Sequence, residues 1–258
     1  MRDTNSKQTK QECLDLGRRF ERKFFVQPGN INLALMLLKQ LCRPDREYPN
    51  GLVNSLYFDT PDLEMYFQSE SGDYRKKKVR IRWYGAWGYH QDERPVYLEL
   101  KMREGFVTHK RRVSLTVPAG RLEHSQVGSG IIARPLLMEK LAALGIYPSS
   151  PLQPVIVISY QRHRFTEMLT GTRLCLDQNI RSYMVSPGLG YVEPELLLEG
   201  GVIELKGTGS ELPVSLRRVK MLGTDWTRFS KYGNCLEAHL MSPGSAGRLW
   251  PAGRMAVG

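Results

Sequence analysis

Alternation of apolar and charged positions dominates the middle of the chain. Successive side chains of a strand point to opposite faces, so over Arg75 to Tyr84 the residues Lys76, Lys78, Arg80 and Arg82 share one face and Val79, Ile81 and Trp83 the other. The same period runs through Val96 to Arg103, where Glu99, Lys101 and Arg103 oppose Leu98, Leu100 and Met102. It continues in Phe106 to Val117, where Lys110 and Arg112 oppose Val113 and Leu115, and a Glu104-Gly105 turn joins these two strands. Val155 to Phe165, Arg173 to Ile180 and Val202 to Lys206 are further strands, the first two connected at Thr170-Gly171. Their charged faces carry Arg162 and Arg164, Arg173 and Asp177, and Glu204 and Lys206. Glu21 to Gln27 is a first strand with Glu21 and Lys23 on one side, and Leu52 to Asp59 is a second.

Helical spacing occurs between these strands. Pro28 opens a helix whose apolar stripe is Leu33, Leu37, Leu38 and Leu41. Thr60-Pro61-Asp62 starts another, with Thr60 as N-cap and Pro61 at the first helical position, ending before Gly72. Residues 119–126, 131–144, 213–222 and 226–240 also read as helices, while Gly188, Gly190, Gly200 and Gly201 bracket a loop. A polar arm over residues 1–17 is expected to be flexible, and the Gly-, Pro- and Ala-rich tail of residues 241–258 disordered, leaving one domain over 18–240.

Alternation in an antiparallel sheet ordinarily marks a solvated outer face. Here strand after strand carries cations on one face, several with a carboxylate two positions away. A sheet closed into a barrel of about eight strands, with the helices outside, would gather them in one lumen. The predicted fold is therefore α+β, an antiparallel β-tunnel with a charged lumen. Unpaired buried cations are too costly to leave without anions, and phosphate chains fit best, since Arg engages their oxygens bidentately and Lys follows as a mobile point charge. Glu204 among these cations reads either as a ligand for Mg²⁺ or Mn²⁺ bridging phosphate oxygens or as a structural partner of Lys206 or a neighbouring arginine.

Composition supports a polyanionic partner. The 258 residues carry a formal net charge of +11 and a pI near 9.6, with 41% hydrophobic and 24% charged residues, which fits an ordinary globular domain. Nucleic acid is not expected as the polyanion, because the aromatics Trp83, Tyr84, Trp87 and Tyr89 fall at a strand end and a Gly-containing turn, where core and rim packing is commoner than base stacking. The chain lacks a Walker or kinase-type glycine loop. No run approaches the ~18 apolar residues of a membrane helix, and the polar start lacks a signal-peptide core, so a cytoplasmic protein with no membrane segment of its own is expected. Cys13, Cys42, Cys175 and Cys235 form no C-x-x-C pair and read as buried or idle thiols rather than disulfides or zinc ligands.

In order, Glu21-Arg22-Lys23-Phe24, Ser55 to Pro61, Arg75 to Gly85, Leu98-Glu99-Leu100-Lys101, Lys110-Arg111-Arg112, Tyr160-Gln161-Arg162, Arg173 to Asp177, Ile203-Glu204-Leu205-Lys206 and Arg228-Phe229-Ser230-Lys231-Tyr232 resemble the VTC domain. That is the catalytic domain of the vacuolar transporter chaperone polyphosphate polymerase, within the CYTH or triphosphate tunnel superfamily. The resemblance implies a tunnel that binds the triphosphate of ATP and transfers the γ-phosphoryl group to polyphosphate, a metal-dependent phosphotransferase. By position it implies catalytic roles for Arg80, Arg82, Lys101, Arg162, Arg173 and Lys206, and substrate binding by Lys23, Arg112 and Lys231. Lys78 and Lys110 join the substrate-binding set from their shared strand face, and Glu204 would hold Mn²⁺ or Mg²⁺. Lys231, away from the strand lattice, is expected to reach a tunnel mouth as a flexible end group. The first strand lacks the first glutamate of the E-x-E-x-K signature of CYTH hydrolases, which disfavours a dedicated triphosphatase; that hydrolase and a non-catalytic polyphosphate or nucleotide binder are the alternatives. The helix after Pro61 offers Glu64 to Glu70 where the eukaryotic polymerases carry basic residues. No phosphate-sensing domain is recognised, so product would stay in the cytoplasm unless an unidentified protein partner exports it.

Overall fold

A computed structural model describes residues 20–85, 93–105, 107–123, 127–128, 131–185, 195–207, 212–224 and 229–241. Nine strands alternate with few helices: β1 (Phe20–Val26), α1 (Ile31–Leu41), β2 (Cys42–Pro44), β3 (Asn50–Asp59), α2 (Glu64–Glu70), β4 (Arg75–Tyr84), β5 (Glu93–Glu104), β6 (Val107–Pro118), α3 (Arg134–Ala143), β7 (Gln153–Glu167), β8 (Arg173–Met184), β9 (Leu196–Gly207) and α4 (Lys231–Met241). Short 3-10 turns precede α1 at Pro28–Asn30 and follow β6 at Ala119–Leu122, and a longer one spans Val214–Leu222. The expected arm, the tail beyond Met241, Cys13, Trp87 and Tyr89 lie outside the described residues.

All strands join one antiparallel sheet in the order β1-β9-β8-β7-β3-β4-β5-β6, with β2 pairing β7. Among the described residues no ladder joins β6 to β1, so backbone pairing does not close the expected barrel. The sheet nonetheless curls hard. Lys101 on β5 lies 2.8 Å from Glu21 on β1, whereas a flat sheet of this order would set those strands roughly 29 Å apart at about 4.8 Å per pairing.

Two apolar layers cover the convex face. Val79, Ile81, Leu98 and Leu100 pack with Leu137, Leu141 and Leu144 on and beside α3, while Phe24, Leu174, Leu176 and Ile203 pack with Ala34 and Leu38 of α1 and with Leu216 and Val219. Leu33, expected in the buried stripe of α1, is 54% exposed, because the helix seats on Ala34 and Leu38 instead.

The third layer corrects the expectation that every helix packs outside. Tyr232, Cys235 and Leu236 of α4 cluster with Tyr57, Ile156, Ile158 and Tyr160. Tyr57 pairs directly with Arg80 and with Ile156, so α4 lies against the concave, charged face and covers part of it. Asp59 anchors this arrangement. Its carboxylate accepts the backbone N–H groups of Thr60, Met65 and Tyr66 and the Tyr232 hydroxyl at 2.6 Å. Thr60 Oγ1 caps only the Glu64 N–H, and α2 starts at Glu64 rather than Pro61 because Leu63 takes a left-handed φ of 55°.

Strands run longer than the sequence pattern suggested. The expected glycine loop before Val202 ends early, and β9 begins at Leu196 with Gly200 and Gly201 inside it. Gly200 has φ of +105°, and a Cβ there would lie 2.7 Å from the Val26 carbonyl oxygen, so glycine permits β1 to pass close to a kink. The facing strand shifts register between Gln178 and Ile180, with Asn179 at φ 52°.

Candidate functional site

Cross-strand register gathers the charged residues on the concave face. Lys78, Lys101 and Lys110 form one row across β4, β5 and β6, and Arg80, Glu99 and Arg112 the next. On the other half, Lys23, Glu204 and Cys175 are successive partners, as are Glu21, Lys206 and Arg173, and Arg162 pairs Asp177. Curling then brings the two halves face to face.

Buried Glu99 organises one side. Its Oε2 accepts from Arg80 Nη2 at 2.7 Å and Oε1 from Lys110 Nζ at 2.5 Å, with Arg82 at 3.7 Å. Burial opposes its ionisation, but Arg80, Arg82 and Lys110 together pull its carboxyl down to about 2. Arg80 also donates to the Tyr57 hydroxyl, and buried Arg82 donates to the Tyr160 hydroxyl at 3.1 Å and, more weakly, to Ser55.

Asp177 organises the other side. Arg162 grips both of its oxygens at 2.6 and 2.7 Å, and Lys231 Nζ approaches Oδ2 at 2.6 Å. Both cations also lie over the Tyr160 ring, Arg162 at 5.3 Å and Lys231 at 4.7 Å from its centroid. Lys231 therefore corrects the expected mobile end group: its side chain is 10% exposed and locked between Asp177 and Tyr160.

Between these sides lies a lysine cluster. Lys23 donates to the Phe229 carbonyl and sits 3.4 Å from Glu21, which Lys101 also engages. Lys78 Nζ donates to Ser230 Oγ at 2.8 Å. Desolvation first, then repulsion from Lys23 and Lys101, lowers the Lys78 ammonium to about 7, and desolvation lowers Lys110 to about 8 despite Glu99. The other expected residues sit at the rims. Lys206 is about half-exposed and 3.1 Å from Glu204, Arg112 is exposed over the Tyr97 ring at 5.1 Å, and Arg173 is exposed beside Lys206 in the ladder. The Tyr84 ring is exposed but Trp83 is buried on the convex side, so the pair does not make a stacking platform.

Cys175, Asp177 and Glu204 come within 4.8 Å of one another through their ligand atoms. The donor chemistry suits a hard cation at Glu204 rather than across this triad. Burial pushes the Cys175 thiol up to about 12, leaving it protonated, and Asp177 is fully engaged by Arg162 and Lys231. Glu204 is held more loosely, at 3.1 Å by Lys206 and 3.4 Å by Arg162. Although burial opposes it, Lys206, Arg162, Lys23 and Lys231 keep its carboxylate ionised, and Glu21 beside it is lowered too despite burial and the Glu204 charge. The two adjoining carboxylates, Glu204 and Glu21, offer the hard oxygen ligands that Mg²⁺ or Mn²⁺ takes. Cys42 and Cys235 are buried and free, their thiols likewise raised to about 12 by burial.

Pattern reading passed over Glu99, Asp177 and Glu21 as functional groups although each lies on a charged face, and their parity was the available signal. Tyr57 and Tyr160 share that parity with Arg80 and Arg162. Nothing local marked Ser230, which acquires its lysine from a strand far away in sequence.

Comparison with known proteins bears on this site. Over 103 residues, covering 37% of this chain and 14% of the relative, the sequence is 26% identical to vacuolar transporter chaperone complex subunit 4 of Schizosaccharomyces pombe. The chain thus matches only a small part of that protein's length. Among solved structures, a Bacillus halodurans protein provisionally named an adenylate cyclase aligns with 83% of this chain and 95% of its own at 20% identity and a TM-score of 0.46. A Vibrio parahaemolyticus protein with the same provisional name aligns at 12% identity and a TM-score of 0.43, covering 82% and 94%. Neither overlap carries the assignment. Residues 18–240 match the VTC domain from the first strand through the last helix, and on that match this chain belongs to the VTC domain family.

Proposed function

We propose that this domain binds the triphosphate of ATP in the concave chamber and transfers the γ-phosphoryl group to a polyphosphate chain. The observation that supports this most is the convergence of Lys23, Lys78, Arg80, Arg82, Lys101, Lys110, Arg162, Lys206 and Lys231 from separate elements, outnumbering the carboxylates Glu21, Glu99, Asp177 and Glu204. Such an excess of cations suits a linear polyanion with several charges, and residues fixed by Glu99 and Asp177 present them without reorganisation. Phosphoryl transfer asks little of a protein beyond this positioning and charge. Arg82 and Arg162, braced through Tyr160, would contact the transferring group, while Lys206, Arg173, Arg112 and Lys110 would guide phosphates at the rims.

Glu204 with Glu21 would hold Mn²⁺ or Mg²⁺, which supplies charge neutralisation on phosphate oxygens when bound. ATP, polyphosphate and a cytoplasmic setting belong to the same proposal. Among the described residues no helix is long and apolar enough to cross a membrane.

Purified protein with ATP and Mn²⁺ should yield long polyphosphate resolved on a gel, together with ADP. Orthophosphate alone would make it a triphosphatase, and tight ATP binding without product a binding module.

A further inference from the structure

Elongation needs an acceptor, and a first phosphoryl group needs one before any chain exists. Ser230, just before α4, places its Oγ 2.8 Å from Lys78 Nζ inside the lysine cluster. We infer that Ser230 is itself the first phosphoryl acceptor: Lys78 takes the hydroxyl proton, Oγ bonds to the γ-phosphorus of ATP, the bond from that phosphorus to the β,γ-bridging oxygen breaks, and ADP leaves. This inference rests on the reading of the chamber as an ATP site.

The turn carrying Ser230 is rigid. Its backbone N–H donates to Asn234 Oδ1, the preceding carbonyl of Phe229 is held by Lys23, and Lys231 following it is paired with Asp177. Ser230 Oγ also accepts the Gly233 N–H at 3.0 Å, as an N-cap would. Capping alone does not call for a lysine. Lys78 bonds a neutral oxygen, whereas Lys23 and Lys101 are both paired with Glu21. The groups facing Lys78 are Lys23 from β1, Lys101 from β5, Lys76 on its own strand, Glu70 from α2, and Ser230 with the Tyr232 ring at 5.9 Å from the α4 side. That surplus of positive charge, after desolvation, lets Lys78 shed its proton near pH 7, which a serine–lysine dyad requires. A Cβ at position 233 would lie 2.5 Å from Glu70 Oε1 and 3.3 Å from Ser230 Oγ, so glycine there lets the Glu70 carboxylate approach the turn that carries the hydroxyl.

The test is acid-stable phosphoserine. The 258-residue protein is incubated with ATP and Mn²⁺ between pH 6 and 9, then analysed by intact mass and peptide mapping after acid treatment, which removes any lysine phosphoramidate. Phosphate on Ser230 is expected, rising with pH across this range and setting in above about 7, because bound ATP favours the charged form of Lys78. Ser230→Asn keeps a capping side chain and should bind ATP yet take no label. Ser230→Thr should be labelled on threonine, and Lys78→Arg should slow labelling by about 10²-fold, the loss of a general base. An unlabelled Ser230 in the native protein, or label undiminished in Ser230→Asn, overturns the inference. ATP binding by calorimetry separates the two readings: an unlabelled protein that binds ATP and makes polyphosphate overturns only the role of Ser230, and one that binds no ATP overturns the ATP site as well.

Discussion

Lys231 Nζ lies 2.6 Å from Asp177 Oδ2, tying the first residue of α4 to the middle of β8. The pair joins the helix on the concave face to the carboxylate that also fixes Arg162. Removing Lys231 exposes a buried negative charge to partial compensation only. Lys231→Ala should therefore lower stability by about 3–5 kcal/mol as well as weaken ATP binding, while Lys231→Ala with Asp177→Asn should recover part of the stability. Chemical denaturation of the three proteins checks this, and an unchanged midpoint in the single variant would refute the buried pair.

Arg82 is the buried cation aligned by Glu99 and Tyr160. Arg82→Ala should reduce kcat by about 10²-fold with a smaller change in KM, the pattern for a contact made in the transition state. Arg112→Ala, at the exposed rim, should act mainly on KM. Steady-state kinetics on both proteins decide whether the fixed centre and the rim differ in this way.

Glu204→Gln keeps shape and removes the carboxylate charge. Metal-dependent turnover should fall by at least tenfold and the Mn²⁺ concentration for half-maximal rate should rise, with the fold intact by circular dichroism. The same metal titration on Glu21→Gln should shift in the same direction. A Glu204→Gln enzyme with the native metal dependence would mark Glu204 as a partner of Lys206 and Arg162 alone.

Lys78 and Lys110 titrate near 7 and 8 in the fold, below an ordinary lysine. Between those values and the usual lysine range the unfolded chain binds more protons, so their contribution to stability grows as pH rises through about 7 to 10. A bound polyanion favours the charged form, so triphosphate affinity should move oppositely, tightening as pH falls from 9 to 6. Calorimetric titrations of tripolyphosphate across that range should show proton uptake, which Lys78→Met should reduce.

Asp59 satisfies the start of α2 and the Tyr232 hydroxyl with one carboxylate. Asp59→Ala leaves those buried donors unpaired and should cost several kcal/mol, about 1–3 for each group left unmet. The melting temperature reads this directly. Tyr232→Phe, which removes only the shared hydroxyl, should cost much less.

The charged faces were legible along the chain because alternation is a local property of extended backbone. Lys78, Arg80 and Arg82 share a face whatever the strand pairs with, and Glu204 shares one with Lys206 for the same reason. The residue pattern also carried the family, since its motifs lie in order from Glu21 to Tyr232. It could not show that, among the described residues, no ladder joins β6 to β1, or that Lys101 reaches Glu21 across the curl, because those depend on the register and bend of the whole sheet. Nor could it seat α4 in the concave face, turning Lys231 from a flexible end into a buried clamp and setting Ser230 against Lys78. Those contacts join segments far apart in sequence, and the packing of α4 on β3 and β7, with Tyr232 stacked on Tyr57 and anchored to Asp59, brings them together.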